Sequence, residues 1–299
     1  MDRLVKLLLC FFLLPLSISA QDGAGMLGIV ASFAQQPGSK DEGLVRISYE
    51  FTQTDEKGRC RTDTMYLDLG LNRSVFYSKD KDRRNQLYTE RHDKMKWIFG
   101  GNSYEKLIAR LEKNNTSDIR IPGNDDPTFY IYKDRRLSEV TTVDELDPIP
   151  RFRAIFRENL PPLPWEMQEG KEEILDYLCE KATVSFRGRD YTAWYAIRVP
   201  IDDGPWKFYG LPGLILDIKS DDGQISFHAI GIERGRKDNL DVPDDSEFEK
   251  IKTLKEMVLY QKESARQNAF FEVFDSSNGA AYTFKDINAW YPVQIEKEF

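Results

Sequence analysis

The chain has 299 residues, enough for one large domain or two modest ones with ample apolar surface for a core. Its formal net charge is −8, which argues against nucleic acid or an anionic membrane surface as partner. Charged residues make up 31% with both signs interspersed, the pattern of a solvated surface and not of a single-sign tail.

Arg3 and Lys6 accompany an apolar run from Leu4 to Ile18 that is too short to cross a bilayer, and Ile18-Ser19-Ala20 ahead of Gln21 suits a cleavage site. Residues 1–20 therefore read as a signal peptide, with Ser32-Phe33-Ala34 ahead of Gln35 as a second cleavage point. Residues 21–43 read as a loose leader and 44–299 as a single β-rich domain. Export is the expectation, and no later segment is long and apolar enough to span a membrane. Export also places Cys60 and Cys179 where a disulfide could form, and makes them the candidate pair.

Val45, Ile47, Tyr49 and Phe51 alternate with Arg46, Ser48 and Glu50, which predicts a half-buried strand. Thr64–Leu69 alternates again, and Ser74–Ser78 is a short third strand. Lys79–Lys94 is highly charged and reads as a solvated loop or exposed helix; Tyr104, Leu107, Ile108 and Leu111 predict a helix opened by Ser103. Phe129–Tyr132 is a strand, with Arg136–Val143 and Phe152–Phe156 as weaker ones. Leu160–Trp165, with three prolines, is a stiff extended connector.

The second half predicts four strands, Ile174–Arg187, Tyr191–Val199, Gly213–Lys219 and Ile225–Glu233, with hairpin turns at Gly188-Arg189 and Asp222-Gly223. A helix follows over Ser246–Asn268, capped by Ser246 with Glu249 and striped by Phe248, Ile251, Leu254 and Val258. A last strand falls at Phe271–Phe274, ahead of a tail carrying Trp290–Ile295. The fold class is mostly β (α+β): a large curved antiparallel sheet, with a half-open barrel as its most closed form, and one or two packing helices.

The chain is organised around Asp203–Leu216. Gly204, Pro205, Gly210, Leu211, Pro212, Gly213, Leu214 and Ile215 form a rigid corner, and Leu211–Leu214 reads as a type II turn with positive φ at Gly213. Trp206, Phe208 and Tyr209, with Tyr191, Trp194 and Tyr195, make an aromatic cluster, and Lys207 stands at its edge as a polar anchor. The cluster suits core packing or, alternatively, an apolar binding groove. Nucleotide-binding loops, zinc-protease and serine-hydrolase signatures and CxxC pairs are absent, so no catalytic residues, cofactor or metal are expected. His92 reads as exposed and His228 as an ordinary strand histidine.

Gly210-Leu211-Pro212-Gly213-Leu214-Ile215 resembles the name motif of the GLPGLI family, exported Bacteroidetes proteins of unknown function. Met65–Gly70, Tyr177–Thr183, Ala193-Trp194-Tyr195 and Gly204–Phe208 extend the resemblance over about residues 45–295. It implies a protein of the periplasm or outer membrane, and brings no active site with it. Two expectations follow, both non-enzymatic: a binding or accessory protein for an apolar ligand or envelope protein, or an assembly partner of an outer-membrane transporter. A hydrolase using Asp or Glu is the third. A cavity lined by Trp194, Trp206 or Phe208 would favour a ligand, a filled core a partner surface, an apolar sheet edge assembly, and two carboxyls of raised pKa in one cleft a hydrolase.

Overall fold

The computed structural model describes residues 42–79, 129–145, 153–246, 248–268, 270–275, 280–285 and 295–297. The expected signal peptide, most of the leader, the charged segment beyond Lys79, the helix at Ser103 and the tail up to Gln294 lie outside them.

The N-terminal part contributes β1 (Glu42–Thr54), β2 (Cys60–Leu69), β3 (Arg73–Ser78), β4 (Phe129–Asp134), β5 (Glu139–Glu145) and β6 (Arg153–Asn159). The C-terminal part adds β7 (Glu166–Ile174), β8 (Tyr177–Phe186), β9 (Arg189–Ala196), β10 (Leu214–Ser220), β11 (Ile225–Asn239) and β12 (Glu249–Ile251). All twelve join in one open sheet of order β12-β6-β5-β4-β3-β2-β1-β11-β10-β9-β8-β7. Neighbours are antiparallel except β12 with β6, which run parallel. Helix α1 (Leu254–Asn268) follows, and β13 (Phe270–Asp275) pairs with β14 (Ala280–Lys285) in a separate hairpin.

Register keeps the apolar residues on one face. Val45, Ile47 and Tyr49 of β1 stand opposite Leu69, Leu67 and Met65 of β2, and all six are buried. Phe51 stacks on Phe227 of β11 with ring centroids 4.5 Å apart. This face curls inward. β4 is five strands from β10 in the sheet, about 24 Å if the sheet were flat. Even so, Lys133 of β4 donates to the Gly204 carbonyl in the segment leading into β10. That segment therefore fills the hollow of a wrapped sheet.

The expected strand Ile174–Arg187 is found as β8, Tyr177–Phe186, while β7 ahead of it was not expected. β7 and β8 form a hairpin around Leu175 and Asp176, both with positive φ (50° and 65°), a conformation without the usual Asn-Gly signal. The next turn is Arg187-Gly188, one residue earlier than predicted, again with positive φ at both positions.

The helix begins at Leu254, not at Ser246. Phe248 instead packs on Val143 and Ile155, and Ile251 ends the short strand β12. The cap is Thr253, whose Oγ1 accepts from the Glu256 N–H at 3.2 Å, while the Glu256 carboxylate accepts from the Lys252 N–H at 3.0 Å. Leu254, Met257 and Val258 of α1 cover Ala154 and Phe156 of β6.

Candidate functional site

Residues 197–213 leave the sheet after β9 and return to it as β10. Their neck is closed by backbone bonds: Leu214 N–H to the Val199 carbonyl (3.0 Å), Ile215 N–H to the Asp203 carbonyl (2.9 Å) and Gly210 N–H to the Asp202 carbonyl (3.3 Å). Tyr49 of β1 donates to the Ile215 carbonyl at 2.6 Å, fastening the neck to the sheet centre.

The motif glycines are needed for space more than for turn geometry. Gly213 is not among the positive-φ residues, so the type II turn is corrected. A Cβ there would lie 2.4 Å from the Ala196 carbonyl oxygen, backbone that cannot yield. Gly204 is pressed against Ile215 (2.8 Å to Cβ) in the same way. Gly210 carries the positive φ, 99°, and also abuts Pro162 of the proline connector, where a Cβ would sit 2.8 Å from the Pro162 Cβ. The motif thus lets three chain segments approach closely.

Its aromatics are interior. Trp206, Phe208 and Tyr209 are at most 3% exposed, and Phe208 meets Trp206, Tyr191 and Phe186 edge-on at 5.1, 4.7 and 6.1 Å. Trp206 holds a positive φ of 49° inside a turn closed by the Phe208 N–H and the Pro205 carbonyl, a costly conformation for a bulky residue. The Trp165 indole N–H donates to the Tyr209 carbonyl at 3.0 Å, and the Tyr209 hydroxyl donates to the Leu160 carbonyl, so the connector lies on the corner. Tyr195 is buried on β9 with its hydroxyl 3.2 Å from Glu180. Trp194 is half-buried over Gly170 of β7 and does not join the cluster.

Charge is buried here too. Asp203 is fully enclosed and pairs with both Lys133 and Arg135; its Oδ1 also accepts from the Gly204 N–H at 2.7 Å. Burial would raise its carboxyl, but the Lys133 and Arg135 charges outweigh that and hold it below the usual range. Burial pulls the Lys133 ammonium down, and the facing carboxylate offsets part of this. Asp202 beside it is raised, chiefly by burial. Lys207, expected as a polar anchor at the edge of the cluster, is 2% exposed; its Nζ lies 2.7 Å from Glu158 Oε1 and 2.6 Å from Glu296 Oε1.

Cys60 is exposed at the start of β2 and Cys179 is buried in β8, and both are free thiols, so the candidate disulfide is not formed. Four strands separate theirs in the sheet. Burial pushes the Cys179 thiol up to about 12. His228 is exposed on β11, 2.7 Å from Asp217; His92 lies outside the described residues. Among the described residues no group of three or more His, Cys, Asp or Glu could hold a metal. The charge partners Lys133, Arg135, Asp203, Glu158 and Glu296 were not singled out from the sequence. Only folding brings them together, and nothing local marks them.

On the opposite face, Arg46 makes a bidentate pair with Asp68 (2.6 and 2.8 Å), and the Tyr77 hydroxyl donates to the same carboxylate at 2.8 Å. The Arg46 guanidinium also stacks on Tyr66, 4.3 Å from the ring centre.

Fold and corner define an open, wrapped β-sheet built round a densely packed, charge-paired interior segment. The model of a family described as a protein of unknown function (Porph_ging) matches residues 187–217, which run from the β8–β9 turn through β9 and the corner into β10. Two solved structures of PNGF-II, in the P21 and C2 space groups, are similar at TM-scores of 0.47 and 0.46 and 14% identity. Each similarity covers 78% of this chain and 35% of the PNGF-II chain, so this chain spans little more than a third of that length. No curated protein matches it.

Proposed function

We propose that the protein is an exported, non-enzymatic binding or accessory protein of the cell envelope, in the manner of the GLPGLI family its motif resembles, and that it works through its surface. The carrying observation is that the aromatic corner is filled: Trp206, Lys207, Phe208 and Tyr209 are interior and held by protein partners. An apolar ligand would have to displace this packing. A protein partner would not. The hydrolase reading needs two raised carboxyls in one cleft, and beside the raised Asp202 the neighbouring Asp203 moves the other way. The assembly reading expects an apolar sheet edge. The β7 edge is exposed but mainly charged, carrying Glu166, Glu169, Lys171, Glu172 and Glu173.

Two measurements test this reading. Fractionation of the native cells with N-terminal sequencing should place the chain in the envelope, starting at Gln21; a full-length cytoplasmic chain would refute export. Titration of the purified protein with the apolar fluorophore 1-anilinonaphthalene-8-sulfonate should give no saturable binding. Stoichiometric binding that quenches tryptophan would reinstate the internal-ligand alternative.

A further inference from the structure

The Lys207 centre has an unusual composition, because one of its carboxylates arrives from the far end of the chain. Lys207 Nζ stands between Glu158 of β6 and Glu296, and Arg187 pairs with Glu158 from the other side. Two cations therefore face two carboxylates. Without Glu296 the centre would keep both cations and one carboxylate, a net positive charge in a site where the Lys207 side chain is buried. The surroundings are apolar: the Trp206 and Phe156 ring centres lie 5.5 and 6.0 Å from the ammonium. An uncompensated cation in such a place is costly, and an anion entering it is strongly favoured.

The main chain around Glu296 is received as well. The Lys297 N–H donates to the Arg187 carbonyl at 2.8 Å, and the Ile295 carbonyl accepts from Arg189 Nε at 3.3 Å and from the Tyr191 hydroxyl at 3.5 Å. Lys297 Nζ reaches Asp222 at 2.8 Å, and Arg189 pairs with the same carboxylate. Ile295, Glu296 and Lys297 are thus held by side chain and backbone together, as a bound extended peptide is held.

We propose that Lys207, Arg187 and Arg189 form a site for an extended peptide segment, in which the Lys207 ammonium takes a carboxylate and the Arg187 carbonyl and Arg189 guanidinium take the main chain, and that Glu296 fills it in cis. The ligand class is a glutamate side chain flanked by an apolar and a basic residue. The proposed function makes no use of this site, so either can fail alone.

The full-length E296A variant tests this with acetate as probe, since acetate restores the methylene and carboxylate that the substitution removes. E296A should melt about 5–15 °C below wild type, the scale of a broken buried pair in a domain of this size. Adding 0.2 M sodium acetate should restore about 3 °C or more relative to 0.2 M sodium chloride, saturably, as a bound ligand does. Wild type and the K207M/E296A double variant should not distinguish acetate from chloride. If E296A fails to fold, the readout becomes the yield of folded protein after refolding in each salt, with acetate expected to raise it. The isosteric E296Q variant should fold and show no acetate response, because its amide fills the site. Equal effects of acetate and chloride on E296A, or an equal acetate gain in the double variant, overturn the proposal.

Discussion

The corner at residues 197–213, which leaves the sheet between β9 and β10, and the β7 ribbon at the sheet edge could hardly differ more. The corner is irregular in backbone and continuously buried from Asp203 to Tyr209, where Asp203 and Lys207 are paired with Lys133, Arg135, Glu158 and Glu296. The ribbon is a strand paired on one side only, and its residues 166–173 are all exposed. Regular secondary structure and structural importance are therefore decoupled here. Stability resides in a loop that the sheet wraps around, while an entire strand at the sheet edge contributes little core. The ribbon also carries the features that keep an edge from pairing with strangers: clustered charge, and a register irregularity between Gln168 and Lys171 that spans Gly170.

The largest expected effect is at the centre of the corner. Asp203→Asn leaves Lys133 and Arg135 buried without their carboxylate and should cost about 3–5 kcal/mol in urea unfolding at pH 7. The pH dependence has a definite sign. A carboxyl held low in the folded state stabilises above its unfolded value near pH 4, and that contribution is lost as pH falls through the folded value. The gap between wild type and D203N should thus be constant from about pH 5 upward and shrink in acid. A gap that widened in acid would mean Asp203 is not the ionised partner.

Glycines in the two regions sharpen the contrast. Gly213→Ala drives a methyl into the Ala196 carbonyl and should cost about 3 kcal/mol, at the upper end of overpacking penalties. A tolerated alanine would show that backbone proximity is not what Gly213 serves. Gly170→Ala in the ribbon meets a positive φ of 146° and the edge of the Trp194 ring at 3.0 Å, a side chain free to shift. A cost of about 1 kcal/mol is expected, read in the same urea titration. Met167→Ser, on an exposed ribbon residue, should change stability by no more than about 0.5 kcal/mol. A loss of 2 kcal/mol or more would place the ribbon in the core of the fold.

Sequence patterning discloses strands through the residues they bury, which explains what was legible. β1 and β2 show period-2 alternation and are found where that alternation predicts, and β3 is found at the short strand expected over Ser74–Ser78. β7 has nothing to alternate, because its residues 166–173 are all exposed, and so no pattern predicts it. The helix start failed for a related reason: two capping boxes stand close together, and only packing of Phe248 on Val143 and Ile155 decides against the first. The corner was recognisable by its glycines and prolines, but the reason for Gly213 was not, since Ala196 approaches it only in the folded chain. The partners of Asp203 and Lys207 were invisible, because ion pairs between distant strands leave no local trace.

The central claim is that the sheet is wrapped round the corner, so that the corner opens only when the whole fold does. Native-state amide hydrogen exchange tests it most directly. The Leu214 and Ile215 N–H groups, bonded to the Val199 and Asp203 carbonyls, should exchange only through global unfolding and show the full unfolding free energy, while amides of residues 166–173 exchange orders of magnitude faster. Exchange at Leu214 and Ile215 as fast as in the ribbon would show a corner that opens on its own, and would contradict the account.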